Sequence, residues 1–435
     1  DWSSDVCSSD LPECADRGMN LPIGGNLVSV PGSKSIANRA LVCAALANGE
    51  SHIYNCAPGD DTEAMIEALN TMGVATHQNL NQLNVCGPLN LQDSSSMRLN
   101  AKLAGTTSRF LTGLCSLRKG KTVIDGEMSL QRRPMNDLHS ALSALGANIV
   151  ALKEPGRLPV QVSKGDHWGA KISISADVSS QFTSALMMIG PYLPSGLEIT
   201  LGQEIVSRGY IEMTVGVMRA FGAKTDFSEN QIWVSPGQYT ATNFAVEPDA
   251  SAASYPLAAV AISGGSVTIA GLSRNSLQGD VEFIDVLARM GCQVTQSPQG
   301  LQIRRDRANR LHGVKINMSQ ISDCVPTLAV VALFADSPTK IEGVDFIRTK
   351  ESDRIGDLAN ELSKLGANIS QTRDGMLIQP APLVGASLAT HHDHRLAMAF
   401  SLIQREVNGV VVQNPEVVSK SWPGFFESLS SFYIS

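Results

Sequence analysis

The apolar positions of the chain fall into a pattern that repeats. Five times, a stretch with helical periodicity ends in glycine followed by a small residue or valine. The stretches are residues 68–74, 142–147, 217–223, 287–292 and 362–367, and Gly73, Gly146, Gly222, Gly291 and Gly366 lie 69 to 76 residues apart. Each glycine suits the position just past a helix, where positive φ is favourable only without a Cβ. A second series interleaves with the first, with β-rich segments at 49–54, 120–124, 196–200, 265–269, 339–341 and 409–412. Each unit of about 70 residues therefore predicts two helices and several short strands, too much for a solenoid repeat. A shortened copy at Phe425-Phe426-Glu427-Ser428-Leu429 completes six units, three for each of two domains.

The other elements agree. Phe110, Leu114 and Leu117 form one apolar stripe; Phe182, Ala185, Leu186 and Ile189 form another. Ile355, Leu358, Leu362 and Leu365 predict a helix opened by the polar segment 348–354. The longest apolar run, 327–335, is half of what crosses a bilayer and predicts a buried helix, so no membrane role is expected. At 435 residues the chain is too long for one ordinary core, which again points to two domains. Residues 1–14 have neither an amphipathic period nor the pattern of a signal peptide, and are read as a foreign tail before a chain ordered from about Met19. The net charge of −7 offers no global field for nucleic acid, so an anion site must gather its cations locally. None of the eight cysteines forms a Cys-x-x-Cys pair, which fits free thiols in a reducing cytoplasm.

The first such site is Pro31-Gly32-Ser33-Lys34-Ser35-Ile36-Ala37-Asn38-Arg39, where a strand-like run turns through glycine into a helix. Backbone N–H groups and the helix dipole converge there, and Lys34 adds a charge, with Ser35 and Arg39 on one face. The segment is an anion site or a capped helix; it lacks the glycine spacing of a nucleotide P-loop. It closely resembles the signature of the enolpyruvyl transferases that act on shikimate 3-phosphate. The resemblance runs from about Gly25 to Leu429, with later motifs in the family's order.

The resemblance implies an α/β fold of two domains, each with three βαβαββ repeats around buried helices. Residues 1–18 would form the tail, 19–32 plus 248–435 one domain and 33–247 the other, the chain crossing near Gly32 and Glu247. In Ala104-Gly105-Thr106-Thr107-Ser108-Arg109, the family's phosphoenolpyruvate loop, Gly105, Thr106 and Arg109 would meet that ligand. Leu103 stands where many members have Asn. In Ser129-Leu130-Gln131-Arg132-Arg133-Pro134-Met135, which alone would read as a solvated basic turn, Arg133 is assigned the phosphate contact with Arg132 in reserve. Ser129 replaces an Arg of other members. Ser179, Ser180 and Gln181, otherwise a helix cap, would hold shikimate 3-phosphate together with Ser207, Arg208 and Tyr210, Gln181 also touching phosphoenolpyruvate.

The second half would supply the proton chemistry. Asp323, which on pattern alone caps a helix, would face the shikimate hydroxyls. Lys350 and Arg354, four apart, would point at one anion with Glu351 between them. His391-His392-Asp393-His394-Arg395 invites a metal reading, but no second His or Cys cluster completes it. The resemblance instead assigns His394, Arg395 and Lys420 to phosphoenolpyruvate. Lys34, Ser35, Arg39, Asp323 and Lys350 would serve shikimate 3-phosphate, and Lys34, Glu351 and Arg354 the second substrate.

The 5-hydroxyl would attack C2 of phosphoenolpyruvate while C3 is protonated, and phosphate would then leave. Glu351 is the expected general acid/base, with Asp323 and Lys34 managing the hydroxyl proton and the departing phosphate. No cofactor or metal is expected, and the enzyme is read as a cytoplasmic monomer. Two alternatives stand: a transferase acting on UDP-N-acetylglucosamine, which usually has Cys where this chain has Met128, and a noncatalytic anion-binding protein of the same fold.

Overall fold

The computed structural model describes residues 27–57, 59–176 and 179–433, so the predicted tail and the chain start near Met19 lie outside it. Within it, the five repeat glycines adopt the backbone their positions require. φ is +88° at Gly73, +111° at Gly146, +84° at Gly222, +108° at Gly291 and +84° at Gly366. They follow the helices Asp60–Thr71, Asn136–Leu145, Arg208–Ala220, Phe283–Arg289 and Gly356–Ser363.

Each full unit runs strand, helix, strand, helix, strand, strand, as in Met97–Asn100, Gly105–Ser116, Thr122–Asp125, Asn136–Leu145, Asn148–Ala151 and Val160–Ser163. Its first two strands pair parallel and the hairpin closes antiparallel on the second. Five four-stranded sheets follow this plan. The sixth unit stops at two parallel strands, Ser387–Leu388 and Val411–Val412, before the short helix Phe425–Leu429.

Units one and four exchange their leading strands. Leu27–Val28 pairs with Gly265–Ala270, and Asn243–Ala245 pairs with Gly49–Tyr54. The two crossing segments touch where Gly32 bridges Pro248, with Ser33 N–H donating to Glu247 O and Asp249 N–H to Pro31 O, both at 2.8 Å. A Cβ on Gly32 would lie 1.9 Å from Asn55 O, so only glycine fits this crossing.

Two apolar cores result. One gathers residues from Ile36 to Val246; the other takes Val28 and Val30 with residues from Ala250 to Phe432. Three first helices lie in each core: Lys34–Leu46, Gly105–Ser116 and Ser180–Ile189 in one, Ala250–Ser263, Val325–Ala332 and His394–Ser401 in the other. Beyond their end residues these helices are buried on every side, polar positions included. In Ala250–Ser263 every residue from Ala250 to Ile262 is buried.

Candidate active site

The six buried helices share one consequence. Their N-terminal ends, or the residues just before them, meet at a cleft between the two cores. Lys34, Ser35, Gly105, Thr106, Ser180, Gln181, Ser322, Asp323, His394 and Arg395 line it, and Asp249 and Ser251 line the adjoining chamber. The partial positive charge of each helix start therefore faces the same space, which suits an anion. Polar caps set these ends. The Ser33 side chain accepts from Ile36 N–H, Ser179 from Gln181 N–H at 3.3 Å, Asp249 from Ala252 N–H at 2.8 Å and Asp393 from Arg395 N–H at 2.9 Å.

Arg354 organises the wall drawn from the second core. Its side chain is 1% exposed, and it donates to Asp393 at 2.7 Å, Glu351 at 2.8 Å and Asp323 at 3.0 Å. Glu351 also receives Lys420 at 3.1 Å and Arg133 at 3.5 Å. Burial alone would raise its carboxyl, but Lys420, Arg133 and Arg354 outweigh that and hold it well below the usual range. Asp323 behaves alike. Burial opposes its charge, yet Arg395 at 2.7 Å, Lys350 and Arg354 hold it ionised. Its carboxylate thus faces cations and caps no helix.

One local prediction needs correcting. The segment 348–354 does not open the helix. Asp345–Thr349 is a 3-10 turn, and the helix starts at Gly356. Asp353 accepts from the N–H groups of Ile355 at 3.1 Å and Gly356 at 2.9 Å, which caps the helix there. Lys350 and Arg354 are therefore not helical neighbours four apart. The turn instead folds Glu351 back onto Arg354.

The opposite wall is less saturated. Arg109 donates to the neutral Gln181 side chain at 2.5 Å, stacks 5.2 Å over Phe182, and its Nε has no hydrogen-bond partner among the described residues. Burial, then the nearby Arg133, lowers its guanidinium to about 10 despite Glu351. Gln181 also donates to Thr106 at 3.1 Å. Arg133 turns into the cleft, whereas Arg132 is exposed. Ser179, Ser180, Ser207, Tyr210 and Lys350 complete the lining. Both ring nitrogens of His394 lack a hydrogen-bond partner among the described residues, the nearest carboxylate oxygen, on Asp393, standing 3.8 Å from Nδ1; burial, then Lys34 and Arg395, keeps the imidazole neutral.

Three predicted site residues stand off the lining. Arg39 is buried behind it and spends its guanidinium on Thr214, Ser184, Ser35 O and Tyr210 O, fixing three helices to one another. Arg208 lies outward, stacked 4.0 Å over Phe227 and paired with Glu212 at 3.0 Å. Lys420 sits behind Glu351 and reaches across to the Leu103 carbonyl at 3.3 Å. That contact uses backbone, so it is indifferent to leucine at 103.

The pattern reading missed Asp61. It lines the cleft, is 3% exposed, and accepts from Lys34 at 2.9 Å. In Gly59-Asp60-Asp61 it reads as an ordinary acid in a first helical turn, which the dipole alone would favour. Asp393, noticed only at a helix start, proves to be the buried partner of Arg354.

The sequence matches the family described as EPSP synthase (3-phosphoshikimate 1-carboxyvinyltransferase) over residues 22–429. The chain belongs to this family. It is 37% identical to 3-phosphoshikimate 1-carboxyvinyltransferase of Nostoc sp., covering 94% of this chain and 96% of that one. With the same-named protein of Marinomonas sp. it shares 38%, over 92% and 95%. An EPSP synthase structure from Acinetobacter baumannii superposes with a TM-score of 0.77 at 26% identity, over 94% of this chain and 96% of that chain. The fold is that of the EPSP synthases, and the chain is a transferase.

Proposed function

We propose that the cleft binds shikimate 3-phosphate and phosphoenolpyruvate and joins them, releasing phosphate. The observation that carries this reading is the placement of Glu351 and Asp323. The two carboxylates are tethered to one Arg354 and face unsaturated donors on the opposite wall. Binding anions alone gives no reason to put carboxylates in an anion site.

Ser179, Ser180, Gln181, Ser207 and Lys350 would hold the 3-phosphate, and Asp323 the ring hydroxyls. Gly105, Thr106, Arg109, Arg133, His394 and Arg395 would surround phosphoenolpyruvate, with Arg354 and Lys420 holding Glu351 beside it. The 5-hydroxyl oxygen forms a bond to C2, and C3 takes a proton from Glu351. The resulting tetrahedral intermediate then returns a C3 proton to Glu351 as the C2–O bond to phosphate breaks, leaving the enol ether. Asp323 accepts the hydroxyl proton, and Lys34 steadies the departing phosphate. In the empty cleft Glu351 is ionised; bound anions offset its cations and raise it toward the protonated form this step requires.

The reading includes a division into 33–247 and 19–32 plus 248–435, supported by the two cores. It extends to a cytoplasmic monomer. Six described cysteines are free, as in a reducing compartment. Phosphate release with phosphoenolpyruvate and shikimate 3-phosphate is the test. Release with UDP-N-acetylglucosamine instead would transfer the site to that acceptor, and release with neither would leave a binding protein.

A further inference from the structure

Beyond Tyr210 the cleft continues into a small chamber lined in part by Lys34, Asp249, Ser251, Asp280 and Arg395. Asp280 is buried there, at the 3-10 turn Gly279–Glu282, and no step above uses it. Its Oδ2 meets the Ser251 hydroxyl and lies 3.2 Å from Tyr210 Oη. Its Oδ1 has no partner among the described residues. The same Tyr210 Oη lies 3.2 Å from Asp323 Oδ2.

One phenol thus faces two carboxyls. A phenol carries one hydrogen, so it makes a full hydrogen bond to only one of them; shared between both it would make two weak ones. Burial, then Asp280 and Asp323, holds Tyr210 well above its ordinary value, and that hydrogen stays in place. The second contact is a full hydrogen bond only if its carboxyl is the donor. Asp323 cannot be that donor, because Arg354 and Arg395 bind it as a carboxylate. Asp280 has no ion-pair partner among the described residues, so the proton belongs on Asp280.

We infer that Asp280 is a positioning residue: as a neutral carboxylic acid it donates to Tyr210 and thereby aims the phenol hydrogen at Asp323. The role rests on the proposed function, in which Asp323 receives the acceptor hydroxyl. The hydrogen bonds then run from Ser251 to Asp280, on to Tyr210, and on to Asp323. Sharing the chamber with Asp280 are Lys34 from the helix Lys34–Leu46, Tyr210 from Arg208–Ala220, Asp249 and Ser251 at the start of Ala250–Ser263, and Arg395 from His394–Ser401. Asp323 of the turn Ser322–Cys324 acts on it from beyond Tyr210. Burial, then Asp323, raises Asp280 to about 6, against Ser251 and Arg395. When Asp280 ionises, the phenol is drawn toward a second acceptor and Asp323 loses its donor.

Two measurements test this on the whole protein. Infrared difference spectra of the ligand-free parent against Asp280→Asn, taken just below pH 6, should contain a carboxylic-acid C=O band that a carboxylate lacks. In kinetics, Asp280→Asn keeps a neutral donor and Asp280→Ala does not. Asp280→Asn should therefore exceed Asp280→Ala at least about tenfold in kcat/KM for shikimate 3-phosphate, the scale of one lost hydrogen bond to a charged network. It should also lack an ionisation present in the parent pH profile. In a Tyr210→Phe background the gap between the two variants should close. Absence of the acid band, an unchanged ionisation in Asp280→Asn, or a gap that survives Tyr210→Phe would each overturn the inference. Should Asp280→Ala fail to fold, the infrared band and the Asp280→Asn pH profile still decide. A parent that releases no phosphate would sink the proposed function alone, since the infrared band does not depend on turnover.

Discussion

The two walls of the cleft carry similar cations in opposite electrostatic states. Arg354 is enclosed by Glu351, Asp323 and Asp393, which hold its charge firmly in spite of burial. Arg109, also buried, meets a neutral amide and an aromatic face and no ion-pair partner among the described residues, so burial, then the nearby Arg133, weakens its hold on the proton. One guanidinium is part of the framework; the other keeps its binding capacity for a ligand. A cluster of basic residues is therefore not one kind of object. What each cation does depends on whether a carboxylate has already claimed it.

The sharpest way to break this contrast is Glu351→Gln, which retains shape but removes the acid/base. Turnover should fall by about 10²–10⁴, the usual share of a positioned general acid or base, with substrate affinities within about tenfold. Turnover in the parent should also depend on pH more strongly than in the variant. Near-normal turnover would make Glu351 a mere partner of its cations and move the proton donor to Asp323.

Exchanging the two arginines for methionine tests the comparison itself. Arg354→Met leaves Asp393 buried at 0% exposure without its partner and should cost about 3–5 kcal/mol in chemical denaturation. Arg109→Met strands no carboxylate, so stability should change little while phosphoenolpyruvate affinity falls. Equal stability losses would mean that the walls do not differ in this way.

Changing Ser179, Ser180 and Gln181 together to Ala should raise KM for shikimate 3-phosphate more than for phosphoenolpyruvate. Each hydrogen bond lost to a charged group costs about 1.5–3 kcal/mol. An unaltered KM would move the phosphate elsewhere in the cleft.

The smallest expected effect is on stability against pH. His394 is held neutral, well below its ordinary value of 6.5. The unfolded chain therefore binds the proton first, and the contribution of His394 is complete above that value and lost as pH falls through it. His394→Gln should flatten this part of the curve in urea unfolding. Comparing the two proteins isolates His394 from Asp280, whose raised carboxyl acts in the opposite sense. Parallel curves would show the imidazole to be solvated.

The repeat was legible in the sequence because it is local. A glycine past a helix needs positive φ whatever the rest of the chain does, and all five adopt it. Apolar helices such as Ala250–Ser263 likewise had to be interior. The motifs marked most of the cleft, since residues at a helix start point to a common ligand whenever the starts converge. What local pattern could not decide was which charge meets which. Asp61 and Asp393 read as ordinary acids near helix starts, yet they become partners of Lys34 and Arg354, 27 and 39 residues away. Arg39 sits in the leading motif but is consumed behind the wall, and 348–354 turned out to be a turn because Asp353 caps the later start. Periodicity and caps depend on neighbours a few residues apart, so the chain itself determined them. Ion pairing depends on distance in space and on burial, which only the packing of the two cores against each other could decide.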